Sequence, residues 1–343
     1  MSEKIRWGIL GNATIARMCV IPAIQKSKNG VVHALATRFP ERAAAVAKDN
    51  GISNIVDSYD ALLADPAIDA VYIPLPNHLH HSWTLKALSA GKHVLCEKPL
   101  ACTAREAQEM ADAAARARLL LMEAFMYRFH PRSQRVKQLA ADGSIGTPCL
   151  VRSAFCYHMG EDLLLSGDNY RLKKEMGGGA LLDVGCYSVS VARWLFAAEP
   201  TQVQAQAVYH KGGADIHFVG SLRFPGNELA TIEASFSSAL QQTYSVVGSH
   251  GAIDLPHDAF IPWENDAVFT LRDRNQEKGQ EHVIPGADEY QLMVEHFADA
   301  VLKREILAFS ANDSVYNMQA LDALAEAAQI GKTVSVEQPA AVY

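Results

Sequence analysis

IRWGILGNATIARMCVIPAIQKSKNGVVHALAT, residues 5 to 37, reads as strand, turn, helix and strand. Ile5 to Leu10 is an apolar run of buried-strand type, Gly11 to Ala16 is a turn, the next segment is helical to about Ser27, and Val31 to Thr37 is a second apolar strand. That order and length make one βαβ unit. In such a unit the turn into the helix directs backbone N–H groups at an anion, so Gly11 to Ala16 is a candidate pyrophosphate cradle. Read as G-x-G-x-x-A, the pattern departs at its second glycine, which is Ala13. The extra methyl stands where backbone would otherwise approach the phosphates.

The end of the second strand sharpens this reading. A site for NAD places an acid there for the ribose hydroxyls, whereas this chain has Ala36-Thr37-Arg38 and no acid until Glu41. A guanidinium and a hydroxyl suit the additional phosphate of NADP, and NAD stands as the second choice.

Downstream the alternation continues. Helices are expected at Glu41 to Asn50, around Tyr59, at Ser82 to Ala90 and at Thr103 to Ala117, with strands at Ala70 to Ile73 and Leu119 to Met122. Between them GKHVLCEKPL, Gly91 to Leu100, is a strand stopped by Glu97-Lys98-Pro99. A lysine fixed at a strand end is placed where α/β enzymes hold their chemistry. The strand at 70 to 73 likewise stops at Pro74-Leu75-Pro76-Asn77-His78. His78, His80 and His81 cluster there, but no carboxylate or cysteine completes a familiar ligand spacing, so no metal site is expected. The pattern predicts a doubly wound parallel sheet over residues 1 to 124.

From Glu123 to Pro131 the alternation breaks, and residues 125 to 343 form the second expected domain. Strands at about 148–157, 202–210, 214–224, 228–237, 242–247 and 252–255 follow with few helices between them, which predicts an α+β domain on a large, mostly antiparallel open sheet. A glycine run, Gly177-Gly178-Gly179, opens a helix through Phe196. On it Asp183 and Tyr187 are four apart and would share a face. Tyr290 to Arg304 and Ser314 to Ile330 read as helices, and the terminal one is expected to pack at the domain boundary.

Composition excludes other classes. At 343 residues the chain is long enough for two domains, and its net charge of -7 argues against a polyanion binder. MSEK runs straight into the apolar Ile5 to Leu10 without a signal core or cleavage site, so secretion is not expected, and no apolar run reaches the length of a membrane span. The six cysteines include no C-x-x-C pair, as expected of reduced thiols in the cytoplasm.

With the turn at Gly11, Pro-Asn after one strand, Glu-Lys-Pro after the next, and the glycine run leading to Asp183 and Tyr187, the chain resembles the Gfo/Idh/MocA oxidoreductase family over essentially its full length. It is most similar to the branch of dimeric dihydrodiol dehydrogenase, NADP-dependent xylose dehydrogenase and glucose-fructose oxidoreductase, whose tyrosine stands where many members carry histidine. The resemblance implies that Lys98 and Tyr187 form the catalytic pair with Asp183 near the substrate hydroxyls. It implies a cofactor lining of Gly11, Ala13, Ile15, Thr37, Arg38, Leu75, Asn77, Glu97 and Lys98, with Arg171 reaching it as well. It further implies a cis Lys98–Pro99 bond and a homodimer formed through the C-terminal sheet.

On that reading the protein orients the reactants and moves one proton at the reacting oxygen. Tyr187 is the acid/base, and the Lys98 ammonium lowers its phenolic pKa from a reference near 10. The expected substrate is an aldopyranose at its anomeric hydroxyl, a polyol or a trans-dihydrodiol. Two alternatives belong to other classes: a glycosidase working by transient oxidation with bound NAD, and a silent NADP-binding regulator. Tyr157, His158, Asp168 and Trp263 are candidate specificity residues of the second domain.

Overall fold

The computed structural model describes residues 4–275 and 278–338. The chain forms two compact units. The first runs to Phe129 and takes in Asp288–Val315, and the second comprises His130–Ala287 and the chain from Tyr316 onward. Sequence places a single crossing near residue 124. The contacts instead return a late segment to the first unit.

The first unit is built on six strands, β1 (Ile5–Leu10), β2 (Gly30–Ala36), β3 (Asn54–Val56), β4 (Ala70–Ile73), β5 (His93–Cys96) and β6 (Leu121–Glu123), in the order β3-β2-β1-β4-β5-β6. Every pairing is parallel. The inner strands β1, β4 and β5 are buried almost throughout, as expected where helices cover both faces of a sheet. The strand order reverses between β1 and β4, which is where such sheets bind their ligands. The short strand β3 lies outside the sequence expectation, since Asn54-Ile55-Val56 carries only two apolar residues and gives no periodicity to read.

The late segment joins this unit through the helix Glu289–Val301. Asp288 caps it, accepting from the Tyr290 and Gln291 amides at 3.0 Å. Phe297 from this helix meets Trp7 of β1 at 5.3 Å between ring centroids, and Asn29 donates to the Glu295 carbonyl at 2.8 Å.

The second unit carries a nine-stranded sheet of β7 (Pro148–His158), β8 (Gln202–Tyr209), β9 (Asp215–Arg223), β10 (Leu229–Ser235), β11 (Ser237–Gly248), β12 (Gly251–Leu255), β13 (Ala267–Asp273), β14 (Gln280–Ile284) and β15 (Val334–Ser335). Its order is β14-β13-β12-β11-β7-β10-β9-β8-β15. Only the central β7–β10 pairing is parallel. The last three strands and the helix Pro131–Ala141 go beyond the sequence expectation: the helix and β14 carry few apolar residues and β15 is two residues long, while the largely apolar run of β13, Ala267 to Leu271, is too short to separate strand from helix. Along β10, exposed Leu229, Thr231 and Glu233 alternate with buried Ala230, Ile232 and Ala234. One face therefore packs under the helix Cys186–Phe196 and the other stays open.

Both helices that the sequence singles out begin with a π-helical turn. Ala16–Val20 precedes the helix Ile21–Lys26, and Leu181–Gly185 precedes Cys186–Phe196. Pro22 gives a local cause for the first, since it has no N–H to offer the preceding turn. In the second, Asp183 lies within the wide turn and Tyr187 just beyond it, about one turn further along the chain.

Candidate active site

In the first unit the strand ends gather the expected residues. Gly11 follows β1 at φ +113°, a conformation that favours glycine, and a Cβ there would come 3.0 Å from Leu75 Cδ2. Its N–H donates to the Ala36 carbonyl at 2.9 Å. Ala13 is not among the residues at positive φ, so its methyl takes up space without straining the backbone, and its carbonyl accepts the first helical bond from Arg17 at 3.1 Å. Ile15 is half-buried behind it.

Thr37 is buried after β2 and its hydroxyl accepts from the Phe39 amide at 3.2 Å, while Arg38 is exposed. Glu41, the first acid, is exposed in the first turn of the next helix. Tyr59 links this corner to the cradle, since a Cβ on Gly11 would lie 3.4 Å from its hydroxyl. Burial pushes the Tyr59 phenol up, and the Arg38 charge opposes that push.

After β4, Leu75 and Asn77 are buried. After β5, the Lys98–Pro99 bond is cis and Lys98 is half-buried. Glu97 is turned inward, accepting from the Tyr72 hydroxyl at 2.6 Å and from the Lys98 amide at 3.2 Å. Burial and the Glu97 charge raise the Tyr72 phenol well above its ordinary value, so it donates as a neutral group. His80 is fully buried with its two ring nitrogens 2.9 Å from the Pro99 carbonyl and 2.7 Å from the Leu75 carbonyl. His81 faces Glu109. His80 thus braces the two turns. Among the described residues no group of three or more His, Cys, Asp or Glu could hold a metal ion.

In the second unit, Asp183 accepts from Tyr157 at 3.0 Å and pairs with Arg171 at the same distance. The Asp183 charge holds the Arg171 guanidinium above its usual value, and burial followed by that same charge pushes the Tyr157 phenol up. Tyr187 is 3% exposed, its ring 5.3 Å from both Phe155 and Phe260. His158, Asp168 and Trp263 are exposed.

Residues 5–125 match the model of the oxidoreductase family with an NAD-binding Rossmann fold, and residues 133–254 match the GFO/IDH/MocA C-terminal domain. The chain belongs to the GFO/IDH/MocA oxidoreductase family. Within this family it is 38% identical over 332 residues to D-xylose 1-dehydrogenase (NADP(+)) 2 of Haloferax volcanii, covering 96% of this chain and 99% of the relative. It is 32% identical over 267 residues to trans-1,2-dihydrobenzene-1,2-diol dehydrogenase of Xenopus tropicalis, covering 75% and 77%. A solved 3-ketoreductase from Actinomadura kijaniata, in complex with NADP and TDP-benzene, matches at 29% identity with a TM-score of 0.86, covering 95% and 98%. This GFO/IDH/MocA protein is an oxidoreductase, with the parallel N-terminal and mostly antiparallel C-terminal sheets of that family.

Two groups escaped the sequence reading. Asp215 of β9 accepts the Leu181 amide at 2.7 Å, capping the turn that carries Asp183, and a side chain at Gly179 would collide with it. Thirty-two residues separate Asp215 from Asp183, so no local pattern points to it. Glu123 ends β6 fully buried, where the sequence shows only a break in an apolar run.

The first unit fits a bound NADP on its own geometry. The Gly11 turn leaves a cradle that a side chain would fill, and the end of β2 offers exposed Arg38 with no acid in sequence before Glu41.

Proposed function

We propose that the protein is an NADP-dependent oxidoreductase that interconverts a hydroxyl and a carbonyl on a sugar, a polyol or a trans-dihydrodiol. The observation that carries this reading is Asp183, a carboxylate held by Arg171 and Tyr157 one turn before Tyr187. A fixed acceptor beside a phenol suits a substrate with neighbouring hydroxyls, one oriented by Asp183 and the other reacting at Tyr187. The relatives support it, since their names describe dehydrogenases of xylose and of a dihydrodiol.

NADP, when bound, supplies or accepts the hydride. Gly11, Ala13 and Ile15 would hold its pyrophosphate, Thr37 and Arg38 its ribose phosphate, and Leu75, Asn77, Glu97 and Lys98 the nicotinamide half. Arg171 belongs with Asp183 on this reading rather than with the cofactor. Tyr187 takes the proton from the reacting oxygen during oxidation and returns it during reduction. Stabilising the charge that develops at the reacting oxygen is the part assigned to Lys98. The first unit holds the cofactor, and the second holds the substrate and self-associates through the open face of its sheet. Action in the cytoplasm is part of this proposal; among the described residues no helix is long and apolar enough to cross a membrane.

A panel of aldoses, inositols, dihydrodiols and dicarbonyls, read by reduced-nicotinamide absorbance with NADP and with NAD, tests this function. Turnover of at least one hydroxylated class with NADP is expected. Sugar release from a glycoside without net absorbance change would favour a glycosidase instead, and cofactor binding without turnover would favour a regulator.

A further inference from the structure

The turn that presents Lys98 is held at one peptide group from both sides. The Pro99 carbonyl faces His80 Nδ1 at 2.9 Å, and the Leu100 amide of the same peptide donates to Glu123 Oε1 at 2.9 Å. Both side chains are buried to within 1% exposure. Glu123 arrives from the end of β6, where it pairs with Cys96 at the end of β5, and His80 opens the helix His80–Ser89. A peptide group gripped on its oxygen by a donor and on its N–H by an acceptor cannot rotate without losing both bonds. We propose that His80 and Glu123 act together as a clamp on the Pro99–Leu100 peptide and are positioning residues for Lys98.

This rests on Lys98 being catalytic. A peptide passes polarisation from one hydrogen bond to the next, so the two bonds strengthen each other. The grip also depends on protonation. An ionised carboxylate accepts a hydrogen bond about twice as strongly as a neutral group, and burial pushes Glu123 up to about 7. The charged and titratable groups around Glu123 are Arg128, which favours its ionisation, Asp313, which opposes it, and Cys96, whose own thiol is pushed up by burial. Ser314 lies beside it, and Glu123 Oε2 is buried without a hydrogen-bond partner. Both His80 ring nitrogens face carbonyl oxygens, Nδ1 that of Pro99 and Nε2 that of Leu75; burial and the Lys98 charge favour the neutral ring, which has a single N–H, and the clamp requires that proton on Nδ1. The clamp is therefore tightest above pH 7, where Glu123 is ionised, and loosens as Glu123 gains its proton.

The test compares the intact protein with Glu123→Gln, His80→Asn and the double variant, with Lys98→Met as the reference for the underlying reading. Glu123→Gln keeps an acceptor and removes the charge. It is expected to lower kcat about tenfold at pH 8 and to abolish the acid limb of kcat near pH 7, with NADP affinity within about twofold. The double variant is expected to lose little beyond the worse single variant, because the two residues grip one peptide. Hydrogen exchange at the Leu100 amide of the protein without cofactor gives a readout apart from turnover. In the unsubstituted protein its protection should fall relative to neighbouring amides as pH drops through 7, and this measurement stands even if a variant fails to fold. An unchanged pH profile in Glu123→Gln, strictly additive losses, or pH-independent protection of Leu100 would overturn the clamp. Near-normal turnover in Lys98→Met would instead remove the catalytic reading on which it rests.

Discussion

Arg171 Nε lies 3.0 Å from Asp183 Oδ2. The same oxygen accepts from Tyr157, so one carboxylate has two partners before any substrate arrives. Removing the cation leaves a largely buried carboxylate short of its charge partner, which costs more than an exposed pair would. Arg171→Met is expected to raise KM for the hydroxylated substrate by about tenfold or more, while NADP affinity moves by less than about threefold. Arg171→Lys should recover part of the loss. A larger effect on NADP than on substrate would return Arg171 to the cofactor lining.

Lys98→Met and Tyr187→Phe are each expected to cut kcat by about 10² or more while NADP binding persists. Nicotinamide fluorescence titration checks the binding, and steady-state assays check the turnover. Near-normal kcat in either variant would remove that residue from the proposed pair.

Arg38 stands exposed at the end of β2 with no acid before Glu41. Arg38→Ala should raise KM for NADP by about tenfold and leave KM for NAD nearly unchanged, because only NADP carries the phosphate that the guanidinium is proposed to meet. Equal effects on the two cofactors would assign Arg38 elsewhere.

Burial pushes Asp215 up to about 6 even though its carboxylate accepts backbone amides at Leu181 and Ala180. A carboxyl whose folded value is raised holds its proton more tightly in the folded state. Its contribution to stability is therefore complete below about pH 4 and is lost as pH rises through 6, a change on the order of 3 kcal/mol. Asp215→Asn should flatten that part of the profile, so denaturant unfolding at pH 4, 5, 6 and 7 is the measurement. A variant that tracks the unsubstituted protein at every pH would mean that Asp215 is not raised.

Val219 is 55% exposed on the open face of the second sheet, with Val208 equally exposed and Leu229 at 47%. These apolar side chains stand among exposed polar ones such as Gln206, Ser221 and Thr231, and are the ones a second copy of the sheet would cover. Val219→Asp is expected to shift a dimer to monomer in sedimentation velocity without changing the far-ultraviolet circular dichroism. A monomer before substitution would end the dimer proposal.

The first unit was largely legible because a parallel sheet writes itself as short apolar runs closed by turn residues. Gly11, Asn77 and Lys98 each follow such a run, and the structure places each at a strand end. The returning helix at Glu289 was legible as a helix but not as part of this unit, since amphipathic spacing shows that a face is buried and not which core buries it. The groups around Asp183 were harder. Tyr157, Arg171 and Asp215 come from a strand, a short 3₁₀ turn and another strand, and nothing in their spacing announces a meeting. Glu123 and His80 were visible as letters only. What distinguishes them is burial beside one peptide group, a property of the folded chain.

The wide turn at Leu181–Gly185 holds one residue more than an α-helix of the same span would need. Deleting a single residue from it would let the segment relax into a regular helix and swing everything downstream by about 100°. Tyr187 would then point away from its aromatic neighbours although no side chain of the site had been altered. The extra residue thus acts as a spacer that sets the direction of the Tyr187 ring.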